Sequence, residues 1–140
     1  MNQPCWARMH GSAAHFPIAL LMVLVVFYHA GFWWRDEVRR RELKGFGFYS
    51  LLIAGAASPV AVISGIALSK GILLGIGILA LHHYFIWPAF GLLIGLAVWR
   101  LVIRARASRR ARGCYLALPS LALVTMMSAG YRGGEMIIGK

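Results

Sequence analysis

Charge is scarce in this sequence, and acid is scarcest. Only 14% of the 140 residues are charged, and four are Asp or Glu against fifteen Lys and Arg. A soluble domain of this length covers one core with a polar surface. With 60% hydrophobic residues and a mean hydropathy of +0.71, this chain has too little polar material to do so. That excludes an ordinary soluble domain and points to an integral membrane protein. Cysteine is nearly absent too, Cys5 and Cys114 being the whole supply. There is no low-complexity tail and no convincing internal repeat with a period of about 20 to 50 residues.

What is present is apolar length. Crossing about 30 Å of hydrocarbon takes about 20 helical residues. Four stretches qualify, from about His15 to Trp34, Phe46 to Ser69, His82 to Ile103 and Gly113 to Tyr131. The expected fold is all-α and integral to the membrane, a four-transmembrane-helix bundle forming one domain over residues 1–140. A three-span arrangement with a long hairpin fits the pattern less well. The stretch KGILLGIGILAL, residues 70–81, is apolar but short and rich in glycine. It reads as an interfacial or re-entrant connector, or as an early extension of the third span. The first apolar run is too long for a cleaved signal peptide and lacks a basic leader and a small-residue cleavage site. Every span holds a proline: Pro17, Pro59, Pro88 and Pro119. Pro17 is expected in a first helical turn, where it costs little. Pro59 is expected to kink the second helix and free a carbonyl.

The basic residues set the expected orientation. Eleven of the fifteen fall in two loops: Arg35, Arg39, Arg40, Arg41 and Lys44, then Arg100, Arg104, Arg106, Arg109, Arg110 and Arg112. The remaining four are Arg8, Lys70, Arg132 and Lys140. This asymmetry places both loops in the cytoplasm and both termini in the periplasm. The net charge of +11 is therefore read as topology, with the lipid bilayer as partner and no nucleic acid. Cys5 and Cys114 then lie on opposite sides and cannot bond to each other in one chain.

The histidines cluster in this frame. His10 and His15 open the first span, and His82 and His83 open the third, so four of the five share the outer membrane level. His29 lies about 21 Å deeper than His15 at 1.5 Å per residue. Two imidazoles facing each other across a bundle are a common way to hold a b-type haem, the apolar helices solvating the porphyrin. His15, inside the apolar run, is the expected ligand on span one, with His82 favoured over His83 on span three. Adjacent residues point about 100° apart on a helix, so only one of that pair should face inward. Arg132 is a candidate partner for haem propionates, and Gly91 and Gly95 offer a smooth face for a helix or a flat ring. His29 has no partner at its depth and is expected to bond a carbonyl or interfacial water. Met126 and Met127 are expected in the core. A copper or zinc site would need a third close ligand, such as His10 or Glu135.

The segment HGSAAHFPIAL resembles the histidine-x4-histidine-phenylalanine-proline signature of the domain-of-unknown-function 2231 membrane proteins. The histidine opening span three, His82 or His83, matches that family's third-helix histidine. The closing SAGYRGGEMIIGK is similar to its glycine-tyrosine-x-glycine-glycine-glutamate segment. Gly11 stands where the family often has proline. The likeness covers essentially the whole chain. It implies a four-helix bacterial inner-membrane protein whose relatives occur beside or fused to Rieske and c-type cytochrome modules, and it implies no established activity. It carries over His10, His15, His82 or His83, Gly133, Gly134 and Glu135, all at the outer face. The expected function is an electron-transfer subunit rather than an enzyme on its own, holding one haem b and exchanging electrons with a quinol pool or with other membrane or periplasmic redox subunits. The alternative is a cofactor-free structural subunit of a larger membrane complex.

Overall fold

The computed structural model describes residues 5–103 and 109–138, which form four helices: α1 (Cys5–Trp33), α2 (Glu37–Leu68), α3 (Gly77–Ile103) and α4 (Arg109–Ile138). All four are long and apolar enough to cross a membrane, and no strand occurs among the described residues. The chain is thus a multi-pass membrane protein of four-helix-bundle architecture. Arg104 and Arg106 of the second basic loop lie outside the described residues.

The helices run alternately up and down, arranged as a ring. α1 packs most extensively on α2, and α3 on α4. The α1–α4 and α2–α3 seams are thinner, while α1 and α3 sit diagonally, with no Cα atoms within 8 Å of one another among the described residues. The core is made of Leu21, Leu24, Leu51 and Leu93, all fully buried, with Ala54, Ala89 and Ala122 letting the backbones approach. Small residues do the same at the seams: a Cβ at Gly55 would lie 3.2 Å from that of Ala97. The outward faces carry exposed Val26, Val60, Ile63, Leu121 and Val124, as a surface bathed in lipid requires.

The helix ends follow local chemistry. Asp36 caps α2 by accepting a hydrogen bond from the Arg39 amide at 2.9 Å, and Glu37 pairs with Arg40 and Arg41 in the next turn. After α2 the chain turns through Gly71 at φ +83°, a left-handed conformation natural to glycine. The indole of Trp87 then donates to the Leu73 carbonyl at 2.9 Å, tying this connector to α3.

Several expectations change here. α1 begins at Cys5, so the HGSAAHFP signature lies within the helix rather than at its mouth. Pro17 is therefore an interior, fully buried proline, because the small and apolar residues before it sustain helix. Helix α3 resumes at Gly77, leaving only residues 69–76 as connector. Met126 is buried, but Met127 is 53% exposed, one helical step of about 100° turning it outward. Pro59 does free a carbonyl, that of Gly55, and the Ser58 hydroxyl takes it up at 2.9 Å.

Candidate functional site

One end of the bundle gathers the start of α1, the end of α2, the start of α3 and the end of α4. His10 on α1 reaches across to α2, where its Nδ1 lies 3.0 Å from the Ala61 carbonyl and 3.2 Å from Ser64 Oγ. Gly65 makes this possible, since a Cβ there would come within 2.9 Å of the His10 ring. On the opposite side, His82 of α3 reaches α4, its Nδ1 2.8 Å from the Ala129 carbonyl and its ring over Gly133. A carbonyl can only accept, so in both rings Nδ1 carries the proton. In the neutral imidazole, Nε2 is then left as a lone pair. The two histidines are within electrostatic reach of one another.

His83 is the more buried of the adjacent pair, 8% exposed, with an Nδ1 that has no partner among the described residues. Its ring lies 5.7 Å from that of His82 and 6.2 Å from that of Trp87. His15 is not brought to either of them. It is exposed and bonds the Gly11 carbonyl one turn back on its own helix. The reason is helical phase: five residues along an α-helix rotate a side chain by about 140°, so His10 and His15 cannot face the same neighbour. With α1 and α3 diagonal, the histidine that α1 offers to His82 is His10.

Arg132 lies at this end, paired with Glu135 at 2.7 Å and 5.5 Å above the Tyr131 ring. Glu135 is engaged there. No group of three or more His, Cys, Asp or Glu able to hold a metal ion is found among the described residues, so the three-ligand copper or zinc set is not assembled. His29 bonds the Val25 carbonyl at 2.9 Å, far along α1. Cys5 and Cys114 are free and exposed at opposite ends of the bundle.

Ser64, Gly65 and the Ala129 carbonyl went unremarked in the sequence. A glycine and a serine one turn before the end of a span are the signal that was available for the α2 side. A second cluster was also missed, at the other end. Tyr28 of α1 and Tyr115 of α4 meet edge to face at 6.3 Å, and Trp99 of α3 stacks on Tyr115 at 4.6 Å. The Arg100 guanidinium lies 5.3 Å from the ring centres of both Phe48 and Tyr115, so all four helices contribute.

No curated protein and no solved structure matches the chain. A family model does, over residues 8–139, a span that includes His10, His15, His82, His83 and the Gly133–Gly134–Glu135 run. The chain belongs to the DUF2231 family of predicted membrane proteins.

Proposed function

We propose that this protein is an electron-transfer subunit of the bacterial inner membrane, holding one b-type haem at its histidine end. His10 and His82 would be the residues that hold it. The protein would exchange electrons with a quinol pool or a periplasmic redox partner. The observation that carries this reading is the shared anchoring of the two rings. Each gives its Nδ1 proton to a carbonyl of a neighbouring helix, which fixes the tautomer and ring plane and leaves Nε2 to coordinate, as in histidines that ligate metals. Because α1 and α3 are separate helices at this end, a haem held here would take one histidine from each. Arg132, at the same end, is placed to meet a carboxylate in exchange for Glu135.

The test is a dithionite-reduced minus oxidised spectrum of the purified protein. A bis-histidine haem gives a sharp α band. His10→Gln and His82→Gln should each remove it, while His15→Gln should keep it. The same histidine bonds also support a second reading, in which the rings pin α1 to α2 and α3 to α4 in a cofactor-free structural subunit. Under that reading the wild type shows no band, and the two Gln variants change stability alone.

The eleven-to-four division of basic residues supports periplasmic termini. A reporter fused to the C-terminus should be active only in the periplasm. Cytoplasmic activity would reverse the orientation and put the histidine end on the other side.

A further inference from the structure

The short turn between α1 and α2 gathers basic and aromatic side chains on the surface. α1 closes at Trp33, with the Trp34 amide still bonded to the Ala30 carbonyl at 3.0 Å, and α2 opens at Glu37. Residues 34–36 make the whole connection. The α1–α2 contact is the most extensive in the bundle, so the turn is pinned at the end of a firmly packed hairpin. Phe32, Trp33, Trp34 and Val38 are exposed there, Trp33 at 77%. Arg35 and Arg39 stand among them and are exposed too.

The nearby acids do not neutralise these two arginines. Glu37 is taken by Arg40 and Arg41. Asp36 holds the Arg39 amide and so caps the helix. Glu42 makes no ion pair among the described residues, and neither do the side chains of Arg35 and Arg39. With Asp36 and Glu37 at its start, the positive end of the α2 dipole is already answered. The charge that remains to be met is that of the two guanidiniums.

We propose that this turn binds the phosphate of an anionic phospholipid, with Arg35 and Arg39 as its contacts and Trp33, Trp34 and Val38 against the upper part of the lipid. Indole rings settle at the boundary between hydrocarbon and head groups. Two adjacent indoles at a helix end therefore set the depth of the turn and bring its guanidiniums to the level of the phosphates. A guanidinium meets a phosphate with two parallel hydrogen bonds. A zwitterionic lipid carries the same phosphate, but its own ammonium cancels the charge. An acidic protein segment would match the arginines alone. Arginines interleaved with exposed apolar rings match a molecule that presents phosphate and hydrocarbon side by side, which is a lipid. The inference does not rest on the haem reading, since the turn lies at the other end of α1 from His10.

The test uses the full chain in nanodiscs of phosphatidylcholine with increasing phosphatidylglycerol. Retained lipid is counted by native mass spectrometry, and Tm is followed in parallel. The wild type should retain phosphatidylglycerol over phosphatidylcholine and gain Tm saturably. Arg35→Gln and Arg39→Gln should each reduce that preference about fivefold, the share of one basic side chain near an anionic surface. Arg41→Gln removes the same charge from the same loop, but one already paired with Glu37, and should reduce the preference by less than about twofold. If an arginine variant does not fold by circular dichroism, Trp33→Ala, which changes no charge, decides, and it should lower the preference too. An Arg41→Gln loss as large as those at Arg35 and Arg39 would overturn the proposal, leaving diffuse charge as the cause. So would a wild type that retains both lipids equally. Displacement of phosphatidylglycerol by inorganic phosphate would overturn it by making the occupant a free anion, and displacement by hexaglutamate by making it an acidic protein segment.

Discussion

Ser58 gives its hydroxyl to the carbonyl of Gly55 at 2.9 Å, the acceptor from which Pro59 withholds the usual amide. The residue before the proline thus repairs the gap that the proline makes, three residues back on the same helix. Ser58 is 2% exposed, so no water or lipid head group would do this instead. Ser58→Ala should lower stability by about 1 kcal/mol, the net worth of one hydrogen bond. In the Pro59→Ala background, where the amide is restored, the same change should cost almost nothing. Thermal unfolding in detergent across the four-member cycle measures the difference. Equal losses in both backgrounds would mean that Ser58 acts in some other way.

At Gly47 the constraint is steric. A Cβ there would lie 2.6 Å from the Tyr28 ring, too close for any real contact. Gly47→Ala should therefore destabilise the α1–α2 seam by about 1–3 kcal/mol, the usual cost of overpacking. Adding Tyr28→Ala should recover part of this loss, because the methyl then has room. A Gly47→Ala protein as stable as the wild type would show that the ring moves aside freely.

Stability also separates the two histidines of the opening motif. His10 joins two helices, whereas His15 bonds only its own. His10→Ala should cost about 1–3 kcal/mol, since it leaves Ser64 with one partner fewer in a buried setting. His15→Ala, at an exposed position, should stay within about 0.5 kcal/mol. Urea or heat denaturation read by circular dichroism decides this without reference to any cofactor.

The connector after α2 offers a dynamic test. Trp87→Phe keeps the aromatic bulk but removes the donor to the Leu73 carbonyl. Amide exchange should then rise in residues 70–76 and stay unchanged in the helices. Uniform exchange before and after the substitution would mean that the indole bond does not hold the turn.

Much of this architecture is legible in the residue order, because span length and hydropathy are properties of a segment and need no knowledge of its neighbours. The common level of His10, His82 and His83 is legible too, following from the basic loops alone. Rotation about each helix axis is not. The apolar run after Pro17 draws attention to His15, yet the helix begins at Cys5, and its phase turns His10 rather than His15 toward the adjoining helix. The Tyr28, Phe48, Trp99, Arg100 and Tyr115 cluster stayed hidden for the same reason. Its members are spread over four helices and read in the sequence as separate aromatics at span ends, where such residues are common anyway.

The uneven seams have a mechanical consequence. His10 is fastened to α2 and His82 to α4, each to the helix with which its own helix packs most tightly. The two rings therefore ride on different hairpins, one made of α1 and α2, the other of α3 and α4. The joint between the hairpins is the thinner α1–α4 and α2–α3 contact. Flexing at that joint would alter the gap between His10 and His82 while leaving each ring's own anchor intact. A haem held by both, as proposed, would act as a clasp across the two hairpins.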